Sequence, residues 1–399
     1  MIVAIFFSLP IYFNYILIKS SVNESFFTQI FFTFFLLGAF YSFFTLKHSY
    51  FQTGFFIGLF WFWWVGLSFR YYGFWYLIPL VSVFIALFYG TVFWILAKVS
   101  FLLNREWLIK LFWVLIFTYG FDYLSPFTFD WLKPEVLFVN SFFNVDKLSL
   151  LAVILALAFF EKKYPILLLV FALVLKPGVQ KLPPLDIYLA STDIPQNKKW
   201  DKNYIPYEIK NDFSIINKAI KLKKDVVVLP ESAFPLFLNM YPSLVSSLKK
   251  LSYSIVIITG ALHYKNGKYY NAAYIFEKGK VTIVDKHVLV PFGEYIPLPF
   301  FQKEINRFFF GGASDYVTAK NFGEFNIKGY RFISAICYEA SVESLYKLKP
   351  KYVMALSNVA WFTPSVMPSL QEMLIKVYAR KYKKVVFHSI NGFKSYVIR

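Results

Sequence analysis

Phe332-Ile333-Ser334-Ala335-Ile336 is a mostly apolar run that leads into Cys337-Tyr338-Glu339 and so into the single cysteine of a 399-residue chain. The run has the length and composition of a strand. A reactive side chain placed where a strand stops is carried by a rigid scaffold yet can face a cleft. A lone thiol has no disulfide partner within the chain. Free cysteine is often a small buried hydrophobe, and Cys337 taken alone divides evenly between that role and a nucleophile. Two other polar residues follow similar runs: Glu231 after Val226-Val227-Val228-Leu229-Pro230, and Lys286 after Val281-Thr282-Ile283-Val284-Asp285. Further short runs lie at 186–189, 254–258, 352–356 and 385–387, separated by polar or helical stretches such as 208–224 and 366–383. Strands alternating with helices predict an α/β domain with a largely buried sheet.

The three residues make a chemical set. A thiol ionises near about 8.5 and is mostly protonated at neutral pH. A carboxylate can take its proton, and a lysine can stabilise first the thiolate and then the oxyanion of a tetrahedral intermediate. No Gly-x-Ser-x-Gly elbow competes with them. The four histidines (48, 263, 287 and 388) show no metal-ligand spacing, and one cysteine cannot build a thiolate metal site. Neither metal nor cofactor is expected.

Upstream the composition changes. The chain is 58% hydrophobic and 22% aromatic, with 50 Phe. Its apolar residues concentrate in the first 175 positions, in stretches that approach the roughly 20 residues a membrane-spanning helix needs. Seven candidates read as 2–18, 27–46, 52–70, 76–100, 107–123, 147–160 and 164–176. Glu161-Lys162-Lys163 forms a polar turn between the last two; the other reading joins them into one interrupted segment and changes the parity. The N-terminus has no basic leader and no small-residue cleavage site, so 2–18 is expected to be retained. With the N-terminus inside, six basic residues fall in inner loops and four in outer ones, which places everything beyond residue 176 outside. The expected domains are a helical membrane domain at 1–176, a linker at 177–184 marked by Pro177-Gly178 and Pro183-Pro184, and a catalytic domain at 185–399. The net charge of +19 is uneven: about +3 on residues 1–175 and +16 beyond. Such a basic domain suits anionic lipid head groups. Nucleic acid is not expected as a partner, because the domain is read as extracytoplasmic and carries no nucleic-acid motif.

Four longer strings carry a resemblance: Leu-Pro-Glu-Ser-Ala-Phe-Pro (229–235), Asp-Lys-His-Val-Leu-Val-Pro-Phe-Gly-Glu-Tyr-Ile-Pro (285–297), Ile-Cys-Tyr-Glu (336–339) and Ser-Asn-Val-Ala-Trp-Phe (357–362). Together with Ile194-Pro195-Gln196 and Trp200, they resemble the apolipoprotein N-acyltransferase family, a membrane branch of the nitrilase (carbon-nitrogen hydrolase) superfamily. The resemblance covers the helical half in layout and residues 185–397 in motif. It implies a multi-pass helical membrane bundle followed by a nitrilase-like α-β-β-α sandwich. It implies Glu231 as general base, Lys286 as oxyanion and thiolate stabiliser, and Cys337 as nucleophile. Glu294 would be a further essential carboxylate, with Tyr338, Glu339, Trp200, Asn358 and Trp361 in supporting or substrate-binding places. Plain core packing is the other reading of Tyr338 and Trp200. The implied reaction moves a fatty acyl group from a phospholipid, typically phosphatidylethanolamine, through a Cys337 thioester to the α-amine of a diacylglyceryl-cysteine on an apolipoprotein. The implied setting is the bacterial inner membrane, as a monomer, with the catalytic domain on the periplasmic side. The apolar stretches 234–238, 296–301 and 308–310 are expected to contact lipid, with packing beneath the domain as the other reading.

Departures from the pattern are also legible. The family usually has Asp at the place of Val359, Gly at Thr363 and a His near Glu372. The family also continues through a closing membrane helix beyond the point where this chain stops, so a truncated or divergent member is expected. Two rival readings stay open: a membrane-anchored nitrilase-like amidase with water as acceptor, and a non-catalytic membrane scaffold or inactive member. A channel is disfavoured by the few charges within the helical half.

Overall fold

The computed structural model describes residues 1–126, 129–162, 164–173, 178–291, 293–295, 307 and 316–399. The apolar stretches at 296–301 and 308–310, Phe292, and the end of the 164–176 segment lie outside the described residues. The chain forms two compact units. One is Met1–Gly178 with Pro364–Lys381; the other is Val179–Thr363 with Tyr382–Arg399.

The first unit is helical. Its elements are Ile2–Lys19, Phe26–Thr45, Tyr50–Phe62, Ile78–Phe101, Glu106–Thr118, Lys147–Ala158 and Ile166–Leu173, each on one of the seven apolar stretches. Among the described residues three are long and apolar enough to cross a membrane: Ile2–Lys19, Phe26–Thr45 and Trp75–Phe101. The helices Tyr50–Phe62 and Glu106–Thr118 fall short of the expected spans. The 52–70 stretch leaves α geometry at Phe62 and continues as a 3₁₀ turn over Trp63–Tyr72. The α-helix read at 107–123 ends at Thr118. Close packing explains the glycines of the third helix. A Cβ on Gly54 would lie 2.4 Å from the Tyr89 carbonyl oxygen, and one on Gly58 would lie 2.8 Å from the Tyr89 ring. Small residues four apart let two helices approach where lipid supplies no hydrophobic drive.

The helix Met367–Lys381, which lies within the 185–399 stretch, packs with this unit. Polar contacts fasten it. Asn14 Nδ2 donates to Ser369 Oγ at 3.0 Å and to Glu372 Oε2 at 3.1 Å, and Asn140 Nδ2 donates to Asn14 Oδ1 at 2.9 Å. Lys376 Nζ lies 3.0 Å from Glu372 and 2.6 Å from Glu24. The departure at Glu372 is thus one link in a buried network, where unpaired groups would be costly.

The second unit is a two-sheet sandwich. Its strands are β1 (Ile187–Leu189), β2 (Ser191–Thr192), β3 (Val226–Val228), β4 (Phe234–Phe237), β5 (Val256–Lys265), β6 (Lys268–Glu277), β7 (Lys280–Asp285), β8 (Glu324–Ile327), β9 (Tyr330–Ile336), β10 (Tyr352–Asn358), β11 (Val385–Asn391) and β12 (Tyr396–Ile398). One sheet runs β1-β3-β5-β6-β7 with β4 beside β5; the other runs β12-β11-β10-β9-β8 with β2 beside β11. Strand alternation divides the burial. Val226, Val228 and Ile258 join Phe332, Met354 and Phe387 in the core between the sheets. Val227 and Ile257 point the other way, against Ile216 and Leu248 of the helices Ile205–Lys221 and Pro242–Leu251. Strands buried on both faces need continuous apolar runs, which is why β3 reads Val-Val-Val.

Two expectations change. The 234–238 stretch is not exposed to lipid: Phe234 and Leu238 are wholly buried in the helix-facing core. The alternation of strand and helix is also incomplete, because β5, β6 and β7 form an antiparallel meander. Its turns, Asn266-Gly267 and Lys278-Gly279, and the Lys328-Gly329 turn between β8 and β9 hold both residues at positive φ, the backbone that two-residue hairpins require.

Candidate functional site

Three strand ends of the second unit deliver the charged centre. Glu231 follows β3, where Leu229 N–H donates to Ile258 O at 2.8 Å and Gly260 N–H donates to Pro230 O at 3.2 Å. Gly260 has to be glycine here: a Cβ would lie 2.5 Å from Ser232 N and 2.6 Å from Glu231 Cα. Lys286 follows β7, its N–H donating to Asn271 O on β6 at 2.8 Å. Cys337 follows β9 at φ 55°, a left-handed conformation costing about 1 kcal/mol or more for a residue with a Cβ.

Glu339 holds that turn. Its Oε2 accepts from Ile336 N–H at 2.7 Å, and its Oε1 accepts from His287 N–H at 2.6 Å and Val288 N–H at 3.0 Å. One buried carboxylate therefore ties the strand end bearing Cys337 to the segment bearing Lys286. Burial pushes the Glu339 carboxyl up to about 6, against the pull of the Lys286 ammonium and the three N–H donors.

Around Lys286 the side chains converge. Its Nζ lies 2.7 Å from Glu294 Oε2, as an ion pair without hydrogen-bond alignment, and 3.8 Å from Glu231 Oε1. Asn271 Nδ2 donates to Glu231 Oε1 at 2.8 Å and to Glu294 Oε1 at 3.0 Å. Glu231 Oε2 accepts from Asn358 N–H at 2.9 Å, and Glu294 Oε2 from Val290 N–H at 2.9 Å. The Cys337 thiol hydrogen-bonds to Glu231. Lys286 is 1% exposed and Cys337 8%, so this chemistry sits in a low dielectric where each charge acts strongly.

The electrostatics follow from one cation facing several acids. Burial raises the Cys337 thiol well above its ordinary value; the Glu231 carboxylate adds to this and Lys286 opposes it. Burial likewise raises Glu231, with Glu294 adding and Lys286 opposing. For Lys286, burial favours the neutral amine, but Glu294 and then Glu231 outweigh it and hold the ammonium above the ordinary lysine range. Burial thus disfavours charge on the Cys337 thiol and on Glu231, while the surrounding carboxylates favour it on Lys286.

Glu231, Lys286, Cys337, Glu294, Glu339 and Asn358 come together in this way. Tyr338 is buried beside the nucleophile, and Trp361 is half-buried in the turn Val359–Phe362. Trp200 ends the helix Gln196–Lys199 and is 41% exposed; among the described residues the structure does not join it to the charged centre. Val359 is buried, and Thr363 Oγ1 donates to Ala360 O at 3.4 Å. Asn271 is the residue that sequence reasoning missed. No group of three or more His, Cys, Asp and Glu among the described residues could hold a metal ion.

Residues 1–177 match the apolipoprotein N-acyltransferase integral membrane domain, and residues 189–381 match the carbon-nitrogen hydrolase family. The chain is 39% identical over 341 residues to the apolipoprotein N-acyltransferase of Wolinella succinogenes, covering 83% of this chain and 80% of that protein. It is 41% identical over 345 residues to that of Helicobacter hepaticus, covering 82% of each. The protein of the same name from Helicobacter pylori is 38% identical over 346 residues, covering 83% of this chain and 79% of its own length.

Proposed function

This chain belongs to the apolipoprotein N-acyltransferase family, and we propose that it transfers a fatty acyl group from a membrane phospholipid to the N-terminal α-amine of a diacylglyceryl-cysteine on an apolipoprotein. The observation that carries this reading is the Cys337 thiol bonded to a buried Glu231 carboxylate whose neighbour is the Lys286 ammonium.

In the first half-reaction Glu231 takes the Cys337 proton as Sγ attacks the ester carbonyl carbon. The new C–S bond leaves an oxyanion, which the Lys286 ammonium stabilises. Collapse breaks the C–O bond; the departing glycerol oxygen takes the proton from Glu231, leaving a lysophospholipid and a thioester. In the second half-reaction the α-amine attacks the thioester carbon and gives a proton to Glu231. Collapse breaks the C–S bond, and Cys337 recovers that proton. Ester plus amine becomes amide plus alcohol, with no net proton change. Splitting the transfer through a thioester replaces one hard step with two easier ones. Glu294 keeps Lys286 charged, Glu339 keeps the Cys337 turn in place, and Asn358 orients Glu231. Tyr338, Trp200 and Trp361 are proposed to line the substrate path.

We assign the chain to the bacterial inner membrane as a multi-pass monomer. Its membrane domain is 1–176 and its catalytic domain follows from 185 on the periplasmic side, with phosphatidylethanolamine as donor. The loop count supports this orientation, with six basic residues in the inner loops and four in the outer ones.

Product analysis tests the transfer. Purified protein is incubated with phosphatidylethanolamine and a synthetic diacylglyceryl-cysteinyl peptide. The expected product is N-acylated peptide with an equal amount of lysophospholipid. Free fatty acid formed in place of acylated peptide would mean water is the acceptor and would overturn the proposal.

A further inference from the structure

Lys199, Glu208 and Asp212 form a buried charged cluster that the reaction above does not use. Lys199 is the last residue of the helix Gln196–Lys199, while Glu208 and Asp212 lie four apart on the helix Ile205–Lys221. That spacing puts both carboxylates on one helix face. The three residues are 1%, 2% and 3% exposed, and Lys199 Nζ lies 3.6 Å from Glu208 Oε2. Among the described residues neither Glu208 oxygen has a hydrogen-bond donor, nor does Asp212 Oδ2, so Lys199 is what offsets their removal from water. Apolar side chains would join two helices at less cost than a buried ion pair.

What the cluster adjoins gives it a role. Gln196 lies three residues before Lys199 in the same short helix, and its Oε1 accepts from Asn358 Nδ2 at 2.7 Å. Asn358 N–H donates to Glu231 Oε2 at 2.9 Å. Asn391 Nδ2 donates to Asn358 Oδ1 at 2.8 Å and to Ile194 O at 2.9 Å, fastening the chain just before the helix to the same residue. The Lys199 charge is also attracted to the Glu231 carboxylate itself. A hydrogen-bonded path and a field thus lead from Lys199 to the same carboxylate.

We propose that Lys199 is a positioning residue for acyl transfer: anchored by Glu208 and Asp212, it fixes the Gln196 turn against Asn358 and supplies part of the field in which Glu231 takes and returns its proton. This rests on the reading of Glu231 as the base. The charged and titratable groups around the path are Glu208 and Asp212 at Lys199, with Tyr204 beside Glu208, and Lys286, Glu294 and Cys337 at Glu231. Burial pushes Glu208 up to about 7 and Asp212 well above its ordinary range, and it lowers Lys199. The cluster is therefore sensitive to charge near neutral pH.

The test is the pH profile of thioester formation on Cys337, followed by intact mass in a single turnover with phosphatidylethanolamine. Without the Lys199 cation, Glu231 keeps its proton to higher pH, so the acid limb moves upward. Lys199→Met is expected to acylate about tenfold slower than wild type at pH 6 and within about threefold of it at pH 8.5, since one unit of displacement is tenfold in the basic form. Lys199→Arg keeps the charge and should restore the wild-type limb. A uniform loss in Lys199→Met with an unmoved limb, or an arginine variant no better than methionine, would overturn the role. Should Lys199→Met fail to fold, Gln196→Leu cuts the path but keeps the cation. It should lower the rate at every pH with the limb in place, and an unchanged rate would count against the path. A wild type that forms no thioester sinks the acyl-transfer reading together with this role; a wild type that acylates beside an unshifted Lys199→Met sinks the role alone.

Discussion

Asn271 shows what one neutral side chain does among charges. It donates from the same nitrogen to Glu231 Oε1 and Glu294 Oε1, so it sets the spacing of two carboxylates that share Lys286. Asn271→Ala is expected to leave both short of a donor in a buried site, where an unmade hydrogen bond costs about 1–3 kcal/mol. Acylation of Cys337 in single turnover should fall by about 10–100-fold, with folding stability lowered by a comparable free energy; a rate within twofold of wild type would show that Lys286 alone suffices. Glu231, Lys286 and Cys337 were legible in the sequence because each ends an apolar run, and the longer strings pointed to Glu294 and Glu339. Asn271 was not, since it sits inside Lys268-Tyr269-Tyr270-Asn271-Ala272-Ala273, a stretch with no clean alternation. The Asn266-Gly267 pair just before it was the available signal for a hairpin.

Elements matter through what they let approach. Gly260 on β5 admits the Glu231 turn, and a methyl group there would meet backbone, not a side chain that can rotate away. Gly260→Ala should displace Glu231 and slow thioester formation at least about tenfold, a shift that mutations displacing reacting groups commonly exceed. A variant acylating at the wild-type rate would contradict this placement. β11 carries a different constraint. His388 Nε2 lies 2.7 Å from Ser357 Oγ, and Nδ1 lies 2.9 Å from Tyr396 OH. Burial lowers its imidazole to about 3. A depressed value means the neutral ring is preferred in the fold, so its contribution is whole above the ordinary imidazole value. It is lost as pH falls from about 6.5 toward 3, by roughly 1.4 kcal/mol per unit. Thermal unfolding of the second unit should therefore weaken steeply from pH 6 to 4, and His388→Gln should flatten that slope; equal slopes would show that other groups govern acid unfolding. The starts of β1, β3, β5, β7, β9, β10 and β11 were legible to within a few residues, because buried strands open on apolar runs, whereas β5 and β11 continue past the residues read and β2, β6, β8 and β12 carried no such run. β4 was misread as a lipid-facing stretch, since a buried Phe-Pro-Leu-Phe looks the same in sequence as an exposed one.

At the level of the whole molecule, the chain joins a membrane-type helical unit to a nitrilase-like sandwich, and the second unit is interrupted by a helix that belongs to the first. No local pattern could have revealed this. The helix Met367–Lys381 is buried over residues 367–379; its apolar stripe of Leu370, Met373, Leu374, Val377 and Tyr378 is readable but does not say what covers it, and its Ser369 and Glu372 meet Asn14 some 355 and 358 residues away in sequence. Span lengths were overread for a related reason: apolar composition continues through Trp63–Tyr72 after the α-helix has ended. Whether Cys337 carries the acyl group between donor and acceptor is decided by intact-protein mass spectrometry after incubation with phosphatidylethanolamine, with Cys337→Ser as control. A mass gain of one fatty acyl group that neutral hydroxylamine removes, and that the serine variant lacks, is expected. No gain in folded protein, or an equal gain in the variant, would contradict it.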